Sequence, residues 1–213
     1  MPYKNDVFIS YKRGKISEEW LQDVFYPFFY DELNNALPFE PKIFVDKTGL
    51  TPGVDFSNEL FSNLIFSKCL VSIWSPPYFR RSEWCLKEFL TMRYKQEYYQ
   101  LSALTMPKTL VWPIMYRTVQ PLPVAVKSIS YLDYSDYNFV GPVKQSPLII
   151  DLQKKLKTDI ASLVNIILHA PAYNEYWDTP EGSNKLISGL KDYLEQNDNF
   201  DNPFQNPITW PKE

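Results

Sequence analysis

The sequence predicts an α/β protein: a five-stranded parallel sheet with helices on both faces, followed by a C-terminal helical extension. Three observations predict it. Short continuous apolar runs, such as CLVSIW at 69–74 and TLVWPIMY at 109–116, suit strands covered on both sides. Between them lie stretches with apolar residues every three or four positions, the helical period. Past the last strand, apolar residues at 149, 152, 156, 160, 163 and 167 keep that period through one long segment.

In order, DVFIS (6–10) is the first strand, and Ser17 with Glu18 and Glu19 reads as a helix start. The helical pattern 17–36 contains Pro27, which should kink it or split it in two. KIFV (42–45) is a second strand ended by Asp46, and DKTGLTPG (46–53) is dense in turn formers and therefore a loop. Residues 55–66 have a helix period, 69–74 form the third strand, and Ser82 caps a helix over 83–98. The fourth strand, 109–116, carries Pro113, which argues for an edge or a strand end there. SISYLDY (128–134) is the candidate fifth strand. Ser146–Pro147 opens the long helix as cap and first residue, and a last short helix spans 183–195. This divides the chain into 1–145, two helices within 146–196, and an Asn/Pro-rich tail or linker at 197–213.

Composition narrows the function. The chain has 22 basic and 25 acidic residues and a formal net charge of −3, with no basic stripe, so nucleic-acid binding is not expected. No apolar run approaches bilayer length and no leader pattern opens the chain, so a cytoplasmic protein without membrane association is expected. Two cysteines, Cys69 and Cys85, lie in apolar surroundings and read as buried thiols. With His169 as its one histidine, at a helix end, the chain has no His-rich metal site and no histidine to spare for a triad, so no metal is expected. A P-loop is absent. Chemistry must run on carboxylates, aromatics and backbone groups.

In a parallel sheet, ligands sit beyond the carboxyl ends of the strands. The segments there are SYKRGK, DKTGLTPG, SPPYFRR and YRTVQP. Immediately after the third of these, SEWCLKEF (82–89) sets Trp84 and Glu88 one helical turn apart on one face. By itself, a glutamate on such a helix is a solvated surface group.

DVFISYKR, IFVDKTGLTPG and LVSIWSPPYFRRSEWCLKEF, in that order, resemble the three signature boxes of Toll/interleukin-1 receptor (TIR) domains over roughly residues 5–135. The resemblance implies a flavodoxin-like TIR fold. It also implies one of two functions: a non-catalytic scaffold or adaptor acting by homotypic assembly, or an enzyme that cleaves the nicotinamide–ribose bond of NAD+. Trp84 and Glu88 match the Trp-x-x-x-Glu arrangement of the bacterial enzymatic branch. The leading expectation is therefore an NAD+ glycohydrolase of the bacterial antiphage type, with Glu88 catalytic and NAD+ as substrate rather than cofactor. Its product would be ADP-ribose, a cyclic isomer or an ADP-ribose conjugate.

The substrate-binding set implied with it is Trp84, Ser10, Tyr11, Lys12, Arg13, Asp46, Leu50, Ser75 and Tyr78. Trp84 forms a pocket wall or packs in the core; Lys12 and Arg13 meet the pyrophosphate or are plain loop charges. The loop 46–53, with Gly49 and Gly53, resembles the family's BB loop, so TIR–TIR self-association is expected, with a downstream effector or fused sensor domain as further partner. Lys47 reads as solvated, Cys85 as core, and the YKQEYY cluster (94–99) as a cover for the sheet. The chain departs from the pattern in the long segment holding Pro27, in Thr51–Pro52 within the loop, and in its C-terminal 70 or so residues.

Overall fold

The computed structural model describes residues 3–45, 62–140 and 146–196. The expected loop 46–53, most of the expected helix 55–66 and the tail lie outside the described residues, and with them Asp46, Lys47 and Leu50. Five parallel strands are present: β1 Asn5–Tyr11, β2 Ile43–Val45, β3 Ser67–Trp74, β4 Val111–Met115 and β5 Leu132–Asp133. Their order is β2-β1-β3-β4-β5, so the direction of winding reverses between β1 and β3. Val7 pairs with Ile43 on one side and Cys69 on the other, fixing the register of the three neighbouring strands. The central strand β3 is buried along nearly its whole length, which is why its sequence is apolar rather than alternating.

The first helical region is continuous but changes type. It starts as α1 Lys15–Glu19, widens to a π-helical stretch Trp20–Phe25, and resumes as α2 Tyr26–Ala36. Pro27 stands at the start of α2, where its missing N–H and bulky ring are taken up by the wider turn before it. The expected split is thus a π-bulge whose Trp20, Leu21, Val24 and Phe25 are all buried. The helix begins two residues earlier than expected, because Ser17 is not its cap. Its hydroxyl instead donates to the carbonyls of Lys12 and Gly14, at 2.8 and 2.9 Å.

The remaining helices are α3 Pro76–Arg80, α4 Glu83–Tyr98, α5 Pro147–Leu168 and α6 Pro180–Gln196. The β1–β2 and β3–β4 connections run in opposite directions across the sheet, and right-handed crossovers therefore place α2 and α4 on opposite faces. α5 packs on α2, and α6 on α4. All six expected apolar positions of α5 are buried, in the same core as the sheet. Ser146 caps it, accepting from the Leu148 N–H at 3.3 Å. α6 begins three residues before the expected start. Pro180 is its first residue, and Thr179 Oγ1 accepts from the Gly182 N–H at 3.0 Å.

Pro113 sits inside the sheet, between Trp112 and Ile114. Tyr134 donates to the Met115 carbonyl, so Met115 and, two residues back, Pro113 turn their backbone groups toward β5. β5 is only two residues long and pairs no further back than Ile114, so at Pro113 that flank is an edge. The expected strand 128–134 shrinks to Leu132–Asp133 because turns through Val126 and Ile129 occupy the residues before it.

The YKQEYY segment departs from its expected role. The sheet is met by its polar letters: Lys95 Nζ donates to the carbonyls of Ile65 and Ser67, and Gln96 Oε1 accepts from Leu110 N–H and the Thr109 hydroxyl. Tyr98 and Tyr99 instead pack on Trp177, and Tyr94 on Tyr193 of α6.

Candidate functional site

At the carboxyl ends of β1 and β3 the chain builds a buried polar cluster. Ser75 caps the short α3 and brings Tyr78 over the strand ends, where its side chain is fully buried. The Tyr78 hydroxyl donates to the Cys85 carbonyl at 3.1 Å. With its one proton so used, it accepts from Ser10 Oγ at 2.9 Å and from Ser72 Oγ at 3.3 Å. Trp74 Nε1 in turn donates to Ser72 Oγ. Burial, with the nearby Cys85 and Glu88, holds the Tyr78 hydroxyl far above the ordinary tyrosine range, so it remains a donor.

Ser82 caps α4, accepting from the Cys85 N–H, and its own hydroxyl reaches Cys85 Sγ at 2.9 Å. Burial, reinforced by Glu88, pushes the Cys85 thiol well above its usual range, which leaves it a small core residue as expected. Glu88, one turn further, is 4% exposed and acts electrostatically on both Tyr78 and Cys85. It is therefore no solvated surface charge. Trp84 is 37% exposed, outside the core, with the Lys87 ammonium 4.9 Å from its ring centroid. Lys87 also pairs with Glu83 at 2.6 Å.

Beside this cluster opens a crevice of about 510 Å³, formed by the loop after β1, the β3–α3 turn and the residues after β4. Lys12, Arg13 and Ser75 line it, as does Tyr116; Tyr11 reaches a small void that shares Lys12, Ser75 and Tyr116. The structure thus brings Ser10, Tyr78 and Glu88 into one cluster and Lys12, Arg13 and Ser75 into the adjoining crevice. Neither Glu88 nor Trp84 lines that crevice. Lys15, Arg81, Tyr116 and Arg117 line it too and were not anticipated one by one. The signal was the cation content of SYKRGK, SPPYFRR and YRTVQP, the loops at the strand ends. His169 lies far along the chain at the end of α5, its Nδ1 2.9 Å from the Asn165 carbonyl. Among the described residues no cluster of His, Cys, Asp and Glu can hold a metal, and no helix is long and apolar enough to cross a membrane.

The model of the TIR domain family matches residues 4–110, half of the chain. The chain belongs to the TIR domain family. The match spans β1 through α4, ending at the residue before β4, and so contains the Tyr78–Glu88 cluster of this TIR domain. Among solved structures, it is similar to the TIR domain of the Toll-related receptor TRR-2 from Hydra magnipapillata. Identity there is 24%, over 70% of this chain and 99% of that one, with a TM-score of 0.44. It is also similar to the TIR domains of the activated Roq1 resistosome recognising the effector XopQ, at 19% identity, covering 91% and 99%, with a TM-score of 0.38. No curated protein matches the chain.

Proposed function

We propose that this TIR domain is an NAD+ glycohydrolase that cleaves the nicotinamide–ribose bond. The observation that carries the reading is the buried Glu88 carboxylate, one turn after Trp84 and at the carboxyl ends of the central strands. Nicotinamide departs from NAD+ as a neutral molecule, so no acid is needed to protonate it. This differs from ordinary glycosides, which commonly take two carboxylates. What needs stabilising is the positive charge that grows on the ribose, and one carboxylate in a water-poor site does this. In this reading Ser10 and Tyr78 hold the floor beside Glu88, Trp84 gives a rim, and Lys12 and Arg13 offer cations to the pyrophosphate. No cofactor is required.

The acceptor decides the product: water yields ADP-ribose, an adenine atom yields a cyclic isomer, and another small molecule yields a conjugate. A cytoplasmic role in antiphage signalling, with self-association through the 46–53 loop and a downstream effector or fused sensor, accompanies this reading. The test is nicotinamide release from NAD+ by the purified chain over a range of protein concentrations. Glu88→Gln keeps the shape and removes the charge, and is expected to slow release by about 100-fold or more. Undiminished turnover in both Glu88→Gln and Glu88→Ala would remove Glu88 from the chemistry. No turnover at any concentration would favour a scaffold.

A further inference from the structure

We propose that a groove at the amino end of the sheet, opposite the Glu88 cluster, binds a monocarboxylate with an apolar body. The inference concerns a second site and does not rest on NAD+ cleavage. The first residues of β1, the chain entering β2, Lys68 of β3 and the end of α5 enclose a cavity of about 590 Å³ there. That volume lies within the range of small-molecule sites. Asn5 and Asp6 line this groove, whereas Ser10, at the far end of the same strand, meets Tyr78 in the Glu88 cluster. The two sites therefore share β1 and stand at its opposite ends.

The groove has cations that are already placed. Asp6 is buried and engaged at both oxygens: Oδ1 lies 2.7 Å from Lys68 Nζ, and Oδ2 accepts from the Lys42 N–H at 2.9 Å. The Lys68 ammonium also rests 5.0 Å from the Phe39 ring centroid, and the Lys4 ammonium 4.4 Å from that of Phe66. Glu40, the other carboxylate among the described residues lining the groove, accepts from the Tyr30 hydroxyl at 2.9 Å. Against Asp6 and Glu40 stand Lys4, Lys42 and Lys68, an excess of one positive charge. An ammonium carries three donors and Asp6 takes one of those on Lys68, which leaves donors for a ligand oxygen.

Much of the remaining lining is apolar. Ile167 and Leu168 at the end of α5, Pro171 after it and Phe39 all border the groove, and Leu168 and Phe39 are 47% and 40% exposed. Large apolar side chains left in water beside a cavity gain from a ligand that covers them. Charge and surface together select that ligand. One excess positive charge matches one carboxylate, whereas a phosphate monoester brings about −1.5 to −2. A small inorganic anion would leave Phe39 and Leu168 in water, so the carboxylate must carry an apolar body.

Binding is measured by calorimetry on the full chain with octanoate, below micelle formation and without NAD+, so a failure of the NAD+ reading leaves the result intact. Octanoate is expected to bind about tenfold tighter than octan-1-ol or octylammonium, and to weaken as salt rises. Decanoate should bind about tenfold tighter still, through its two further CH₂ groups. Lys4→Gln with Lys42→Gln, both exposed, should weaken octanoate by about tenfold at an unaltered melting temperature. Ala172→Trp, at an exposed position lining the groove, fills it without changing charge and should abolish binding. Lys154→Gln with Lys157→Gln, which changes net charge equally on exposed positions of α5, should leave it unchanged. Octanoate binding no tighter than octan-1-ol, or unaffected by either groove variant, overturns the proposal. So does octyl phosphate binding tighter than octanoate, which would make the groove a phosphate site. A peptide ending in a free Phe carboxylate that binds where octanoate does not would overturn it in favour of a protein chain end.

Discussion

Tyr78 Oη lies 2.9 Å from Ser10 Oγ, a contact between the last turn before α4 and the end of β1, 68 residues apart in the chain. The same hydroxyl donates to the carbonyl of Cys85 in the first turn of α4. One phenol therefore holds together the strand end, the α3 turn and the helix that carries Glu88.

Tyr78→Phe keeps the ring and removes this junction. The Cys85 carbonyl loses its donor, and the Ser10 and Ser72 hydroxyls lose their acceptor, all in buried surroundings. A loss of about 1–3 kcal/mol is expected, read as a lower urea midpoint. An unchanged midpoint would show that the hydroxyl is not a structural tie.

Lys95 gives a pH dependence of defined sign. It is fully buried on α4, with Tyr3 and Trp177 rings beside its ammonium and Cys69 as the titrating neighbour. Burial lowers its pKa to about 7, whereas the unfolded chain should titrate near 10.4. Between these values the unfolded state binds more protons, so this group's contribution to stability rises with pH from about 7 to about 10. The readout is the melting-temperature difference between the natural protein and Lys95→Met, which cancels the other titrating groups. It should grow in favour of the natural protein across that window; a flat difference would refute the assignment.

The two thiols should be inert. Cys69 and Cys85 are buried, and burial pushes both above their usual range, so little thiolate forms. Labelling with a thiol reagent at pH 8 should be slow in the native protein and fast in denaturant. Rapid native labelling would contradict the burial.

α5 shares the sheet's core, and Leu156 is fully buried in it. Leu156→Ala should cost about 2–5 kcal/mol and lower the melting temperature in the same single transition that reports the sheet. A separate second transition would show instead that α5 is an independent appendage.

Several features were legible because they are local. The long helix 147–168 announces itself by its apolar period and by Ser146–Pro147, and α4 by Ser82. β3 reads as a doubly covered strand because parallel sheets bury both faces. The loops at the strand ends follow from topology alone, and Ser10, Ser75, Lys12 and Arg13 lie at those ends. Ser17 misled because a serine near a helix start has two options, accepting from the helix or donating back to the chain before it. Its surroundings, not its spacing, chose the second.

The sequence by itself determined the family, the element order and the placement of Glu88 on the helix after β3. Periodicity and ordered motifs are carried by neighbours along the chain. Only the tertiary structure decided that Glu88 is buried while Trp84, one turn away, is largely outside the core. It alone decided that Tyr78 and Ser10 meet, that Lys95 is enclosed, and that Arg81 and Arg117 converge on the cations after β1. These relations join residues dozens of positions apart, and their energies depend on burial and approach distance, which no one-dimensional spacing encodes.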